Sequence, residues 1–169
     1  GWIVSRGTEN SAEHTGDALI WTGLWLAAAS CEAGNASEAM LQDTIERNGG
    51  ALVRYEPLGE YEGGREISMD GALGLYRGIA ERITRCPGTA PRWKDVLTLQ
   101  KQYMEDHDGR LHGNSDSILL PEFDYVLDLL LAGLTAGAGS GFDGRRLSRV
   151  VAESTAWAFA VQASHASAY

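Results

Sequence analysis

Apolar residues along this chain recur with the spacing of α-helices, and regular alternation typical of long strands is absent. Residues 17–30 are apolar on nearly every side, which predicts a helix covered by neighbours. A more amphipathic helix is predicted over residues 37–47, after a break at Gly34-Asn35 and with a C-terminal stop at Asn48-Gly49-Gly50. The apolar stripe of this second helix consists of Met40, Leu41, Thr44 and Ile45.

The same order, an apolar helix followed by an amphipathic one, returns twice along the chain. The second pair is predicted over residues 68–85 and 91–104, on either side of a turn at Pro87-Gly88, with a stripe of Trp93, Val96, Leu97 and Leu99. The third pair is predicted from residue 119 or 121 to 135, and from 144 to about 166. The pattern therefore predicts an all-α protein of three helical hairpins, with short extended segments in the connecting loops.

A glycine in a similar apolar setting recurs every 55 residues, at Gly23, Gly78 and Gly133, and Cys31 and Cys86 are separated by the same 55 residues. A fixed period of this size indicates a repeated supersecondary unit. We expect the glycine to let neighbouring first helices approach closely, at a cost of about 1 kcal/mol in helix propensity. The whole chain, 1–169, is then a single domain with repeats of about 1–49, 50–108 and 109–169.

The segments that enter the first two apolar helices are H-T-G-D-A-L-I-W-T-G-L, from His14 to Leu24, and I-S-M-D-G-A-L-G-L, from Ile67 to Leu75. This pattern resembles the α/α-toroid, or six-hairpin, architecture of polysaccharide lyases and glycoside hydrolases. The resemblance implies that inner helices surround a funnel and that the loops entering them carry the active site. Three hairpins make half of such a toroid. The alternatives are an arc completed by another copy, a part of a longer chain, or a six-helix bundle.

The charge balance limits the kinds of partner. The chain has 14 basic and 23 acidic residues and a net charge of −9, so sequence-independent nucleic-acid binding is not expected. Uncharged stretches of about 14 residues are too short for a membrane span of ~20. No signal peptide is evident after Gly1, so we expect a soluble protein and leave its location open. The two cysteines are interpreted as small buried hydrophobes.

The first repeat aligns three side chains of useful chemistry at its helix entry. His14, Asp17 and Trp21 follow i, i+3, i+7 spacing, which places them on one helical face. The histidine or carboxylate could move a proton, and the indole could stack on a sugar. The alternative is that Asp17 favours the helix N-terminus electrostatically and that Trp21 belongs to the core.

The second repeat offers Asp70 and Arg77, also seven apart, after a long loop that contains Arg54, Tyr55 and Arg65. Arginine binds carboxylates bidentately, so these arginines are candidate binding residues for the carboxylate of an acidic sugar. Tyr55 is a second candidate stacking platform. The alternative is a solvated loop with weak internal ion pairs.

The third repeat begins with a dense polar cluster over residues 105–116, in which His112 and Asn114 precede an inner helix. We expect no cofactor, because neither an EF-hand nor a zincin spacing is present and a polar turn with an Asp-Gly bend is the default. Calcium remains an alternative, with the candidate ligands Asp106, Asp108 and Asp116.

These observations favour a carbohydrate-active domain that binds or cleaves an acidic polysaccharide or oligosaccharide, with lyase and hydrolase both open. Its candidate catalytic residues are His14, Asp17, Asp70 and His112. Its candidate substrate-binding residues are Trp21, Arg54, Tyr55, Arg65, Arg77 and Asn114. The alternative is a non-catalytic helical-repeat scaffold or assembly module, such as a fragment of a larger viral or secreted surface protein, with a homo-oligomer as one form.

Overall fold

A computed structural model describes residues 18–52, 69–110 and 121–136, together with helical positions 149, 151–153, 156 and 160. Within these ranges the protein is mostly helical and has no strand, which confirms the all-α prediction. The helices are α1 (Ala18–Ala28), α2 (Cys31–Arg47), α3 (Met69–Arg85), α4 (Ala90–Asp106) and α5 (Pro121–Ala136), with a short 3-10 turn at Pro87–Thr89.

The predicted bounds of α3, α4 and α5 agree closely with the structure, but the predicted break at Gly34-Asn35 is wrong. The chain turns earlier, at Ala29-Ser30, and α2 continues through Gly34. Ser30 is extended, and its side chain accepts a hydrogen bond from the Ala33 amide at 3.2 Å, as an N-cap does. The signal for a new helix therefore came from the serine and not from the glycine.

Glycine does end α2. The Gly50 amide donates to the Ile45 carbonyl at 2.9 Å, and the Gly49 amide donates to the Glu46 carbonyl at 3.0 Å. Gly49 and Gly50 have φ angles of 64° and 101°, a conformation that side-chain-bearing residues rarely adopt. This pair of bonds is the Schellman motif, and it confirms the predicted C-terminal stop.

Helices α1 and α3 pack in parallel through glycine. Gly74 lies against Ile20, Gly78 lies against the Gly23 backbone, and a Cβ added to either Gly23 or Gly78 would collide with the backbone of the other helix. Contacts that ascend along both helices define a parallel pair, so positions separated by one repeat period sit side by side. The predicted role of the repeated glycine is confirmed for Gly23 and Gly78.

Helices α2 and α4 also contact each other, through Glu38 and Trp93, and Gly50, which follows α2, lies against Leu99. Helix α5 packs on both α3 and α4. The core lies between these helices, and its apolar members include Tyr76, Ile79, Trp93, Leu97, Val126 and Leu130.

One predicted core position is wrong. Leu99 is exposed, whereas Gln100 and Met104 are buried with Trp93, Val96 and Leu97. The buried face of α4 therefore follows positions 93, 96, 97, 100 and 104, one turn longer than the predicted stripe.

Candidate functional site

The predicted site residues fall into two groups. Asp70 is the second residue of α3, and Trp21 and Arg77 belong to α1 and α3. Because these two helices are parallel, their N-terminal ends lie at the same end of the pair, as the toroid-like interpretation requires. The remaining candidates lie outside the described residues: His14, Asp17, Arg54, Tyr55, Arg65, His112 and Asn114.

Trp21 and Arg77 are both exposed. Trp21 stands in the first turn of α1, so the alternative that it belongs to the core is wrong. Arg77 occupies the repeat position of Thr22, so it stands at nearly the same height as Trp21 on the neighbouring parallel helix. An indole and a guanidinium are thus available to solvent at neighbouring levels of the α1–α3 pair.

Trp21 belongs to a longer apolar stripe on the outside of α1. Trp21, Leu24 and Trp25 are 45%, 43% and 38% exposed, at i, i+3, i+4 spacing. The equivalent positions of α3 are Tyr76, Ile79 and Ala80, and these are fully buried. The same face of the repeat is therefore covered on α3 and open on α1, and we call Trp21, Leu24 and Trp25 the outer stripe of α1.

A buried ionic group joins α2, α3 and α4. Arg82 is 0% exposed, and its Nε donates to Glu38 Oε2 at 2.9 Å. The other oxygen of Glu38 accepts a hydrogen bond from the Trp93 indole. A buried carboxylate and guanidinium stabilise each other only when their remaining hydrogen-bonding atoms are satisfied, which this arrangement provides.

Arg82 also reaches the turn between α1 and α2. Its terminal nitrogens donate to the carbonyls of Ser30 and Cys31 at 2.8 and 2.6 Å, and to Asn35 Oδ1 at 2.8 Å. Gly34 leaves the room for this, because a Cβ there would lie 2.6 Å from Arg82 Nη1. Gly34, interpreted from sequence as a helix break, instead leaves space for the Arg82 guanidinium.

Sequence reasoning missed this buried group. Glu38 and Arg82 look like ordinary surface charges of amphipathic helices, since charged residues are rarely fully buried. The available signal was the repeat period, because Glu38 and Trp93 are separated by the same interval as Gly23 and Gly78.

The interpretation of the two cysteines as small buried hydrophobes is confirmed for the burial of Cys86, but it is wrong for Cys31, which is exposed, and it missed that the two are bonded. Cys31 and Cys86 form a disulfide with a Cα–Cα distance of 5.7 Å. Cys31 follows α1 and Cys86 follows α3, so the parallel packing of these two helices brings the two cysteines together. The bond joins the start of α2 to the residue that follows α3.

The polar segment at the end of α4 forms a turn. Asp108 and Gly109 have φ angles of 55° and 79°, and the Gly109 amide donates to the Met104 carbonyl at 2.8 Å. Asp106 and Asp108 are exposed, while Asp116 lies outside the described residues. Within the described ranges, no three histidine, cysteine or acidic residues are grouped as a metal site would require.

Two further polar contacts hold α3, α4 and α5 together. Gln100 Nε2 donates to Tyr76 Oη at 2.6 Å, and burial raises the pKa of Tyr76 above its ordinary range. Lys101 Nζ contacts Asp124 at 2.7 Å and Asp128 at 3.0 Å. Burial lowers the pKa of Lys101, but hydrogen bonds to the two carboxylates outweigh this effect, so the net shift is upward.

Comparison with models of protein families, with curated proteins and with solved structures finds no match. Among the helices of the described segments, none combines the length and the apolar character needed to cross a bilayer.

Proposed function

We propose that this protein is a carbohydrate-active module that engages an acidic polysaccharide at the N-terminal ends of its inner helices. The observation that supports it best is the parallel alignment of α1 and α3. Parallel helices direct their N-terminal ends, and the loops that enter them, toward one place. Side chains from different repeats then meet a single ligand.

Trp21 and Arg77 give this proposal its chemistry. An exposed indole near the helix entry offers an apolar surface on which a sugar ring stacks. An exposed guanidinium on the adjacent helix offers a bidentate partner for a uronate carboxylate. The net charge of −9 opposes binding of a polyanion, so local arginines must supply the attraction.

The first test measures binding of uronate-containing polysaccharides by titration calorimetry, with Trp21→Ala compared against Trp25→Ala. Both tryptophans are exposed on one helix, but Trp25 lies one turn farther from the helix entry. We expect Trp21→Ala to weaken binding about tenfold, since loss of a stacked ring costs roughly 1–1.5 kcal/mol. Equal binding by both variants and the wild type contradicts the proposed role of Trp21.

The second test concerns the acidic group of the ligand. Arg77→Ala is expected to weaken binding of a uronate oligosaccharide and to leave a neutral oligosaccharide of the same length unaffected. Arg149→Ala is the matched control, because Arg149 is exposed on another segment and pairs with Glu153 at 2.8 Å. Ultraviolet absorbance of the unsaturated product separates a lyase from a hydrolase in the same samples.

The second candidate function is a helical-repeat assembly module, and the outer stripe of α1 favours it. Three large apolar side chains at helical spacing form the kind of surface that packs on another helix. Light scattering distinguishes the two functions. If the stripe mediates assembly, the measured molar mass is a multiple of 18.2 kDa, and each of Trp21→Ala, Leu24→Ala and Trp25→Ala lowers it. If the protein binds a saccharide instead, only Trp21→Ala weakens that binding.

A further inference from the structure

The Cys31–Cys86 disulfide closes a corner of the fold that is also held by other bonds. The corner consists of the last residues of α1, the turn at Ala29-Ser30 and the end of α3. Arg85 donates to the Leu26 carbonyl at 2.8 Å and to the Ala28 carbonyl at 3.1 Å, and it also contacts the Ala27 carbonyl. Cationic groups at carbonyls that end a helix are stabilising.

Arg82 holds the other side of the same corner through the Ser30 and Cys31 carbonyls, while it remains paired with Glu38. These hydrogen bonds, together with the Gly23–Gly78 contact, join the two repeats without help from the disulfide. We therefore expect the corner to stay in place when the sulfur–sulfur bond is opened.

The two sulfur-bearing residues differ in accessibility. Cys31 is exposed, whereas Cys86 is 6% exposed. Thiol–disulfide exchange requires a thiolate to approach one sulfur directly, and the accessible sulfur is attacked in preference. Cys31 is thus the more accessible of the two cysteines, and Cys86 is shielded by the fold.

We propose that the Cys31–Cys86 bond is a reversible thiol-exchange site, which takes a small thiol at Cys31 while the helices stay folded. The thiolate attacks Cys31 Sγ, a new bond forms between the two sulfurs, and the Cys86 sulfur leaves as a thiolate. The mixed disulfide then reacts in one of two ways. Attack of the Cys86 thiolate on Cys31 Sγ restores the original bond and expels the small thiolate, whereas attack of a second small thiolate on the added sulfur releases Cys31 as a thiolate and the small molecule as its disulfide.

The test exposes the folded protein to reduced glutathione, traps free thiols by alkylation and locates the adduct by peptide mass spectrometry. We expect the mixed disulfide on Cys31, alkylation on Cys86 and unchanged helical circular dichroism. An adduct mainly on Cys86, or modification that begins only after helical signal is lost, overturns the proposal.

Single-cysteine variants provide the matched comparison, since each leaves one free thiol. Cys86→Ala leaves Cys31, and Cys31→Ala leaves Cys86. With oxidised glutathione, the first variant is expected to form its adduct at least about tenfold faster than the second, both measured on samples with native helical content. Equal rates contradict the proposal. If a variant fails to fold, the wild-type adduct position decides the question.

Discussion

The contact between α1 and α3 and the contact between α2 and α4 are made by different chemical means. Helices α1 and α3 meet through bare backbone at Gly23, Gly74 and Gly78. Helices α2 and α4 meet through polar side chains, with Glu38 bonded to the Trp93 indole and Arg92 paired with Asp43 and Glu46. The α1–α3 contact requires the absence of side chains at these glycines, whereas the α2–α4 contact includes hydrogen-bonded and charged side chains.

This difference indicates how each contact fails. A close backbone contact tolerates no added atom, because the neighbouring helix has nowhere to move without disturbing the core. For a polar contact, the stability lost on removing one partner depends on how deeply the contact is buried. Removal of a buried partner leaves a charge without compensation, whereas removal of an exposed partner costs little.

Loss of Arg82 is expected to have the largest effect on stability. Among the described residues, Arg82→Met leaves the buried Glu38 carboxylate with only the Trp93 indole as a side-chain partner, so the free energy of unfolding should fall by about 3–5 kcal/mol. Urea denaturation measures this. The double variant Glu38→Gln/Arg82→Met removes the unpaired charge and should recover part of the loss. A single variant within about 1 kcal/mol of the wild type would show that the pair is not buried as described.

Substitution of Gly78, at the contact between α1 and α3, is expected to have the second largest effect on stability. Gly78→Ala gains about 1 kcal/mol in helix propensity, but its methyl group collides with the Gly23 backbone. We expect a net destabilisation of about 1–3 kcal/mol by denaturation. Gly88→Ala is the control, because a Cβ there meets nothing within 4 Å. If the two variants are equally stable, α1 and α3 do not touch at Gly78.

Burial of Tyr76 predicts a loss of stability at high pH. Its pKa is raised in the folded state, so above pH ~10 the unfolded chain ionises while the folded protein does not. The free energy of unfolding therefore falls as pH rises, by up to about 1.4 kcal/mol per unit for this group. Tyr76→Phe should remove that part of the slope, and Tyr125→Phe, at an exposed position, should not. Identical slopes in all three proteins would contradict the burial.

The exposed ion pairs of the outer contact should matter least. The side chains of Arg92, Asp43 and Glu46 are each about half exposed, and such pairs contribute about 0.2–1 kcal/mol. Arg92→Ala should therefore change stability by less than about 1 kcal/mol and lose even that difference in high salt. A loss comparable to that of Arg82→Met would remove the distinction between buried and exposed polar contacts.

Local sequence features predicted the helices well, because their signals are local. Apolar spacing located α3, α4 and α5, and Asn48-Gly49-Gly50 located the end of α2. The error at Gly34 has a tertiary cause. That glycine makes room for Arg82, which lies in α3, so the sequence around Gly34 does not indicate the contact.

The repeat period contained more information than the individual motifs. It predicted the close approach of Gly23 and Gly78, and it also implied the contacts of Cys31 with Cys86 and of Glu38 with Trp93, which were not inferred. For the candidate site, sequence placed Trp21 at a helix entry, but only the structure shows that it is exposed and continues into an outer stripe. The exposure of a helix face depends on which other helices pack against it, and local sequence does not determine that.

The parallel alignment of α1 and α3 is tested most directly by paramagnetic relaxation of amide signals. A spin label is attached through Arg77→Cys in one sample and Glu81→Cys in another, with the native disulfide intact. Parallel packing of α1 and α3 predicts maximal broadening in α1 near Thr22 for the first label and near Leu26 for the second, a shift toward the C-terminal end. A shift toward the N-terminal end, or no broadening of α1, would contradict it.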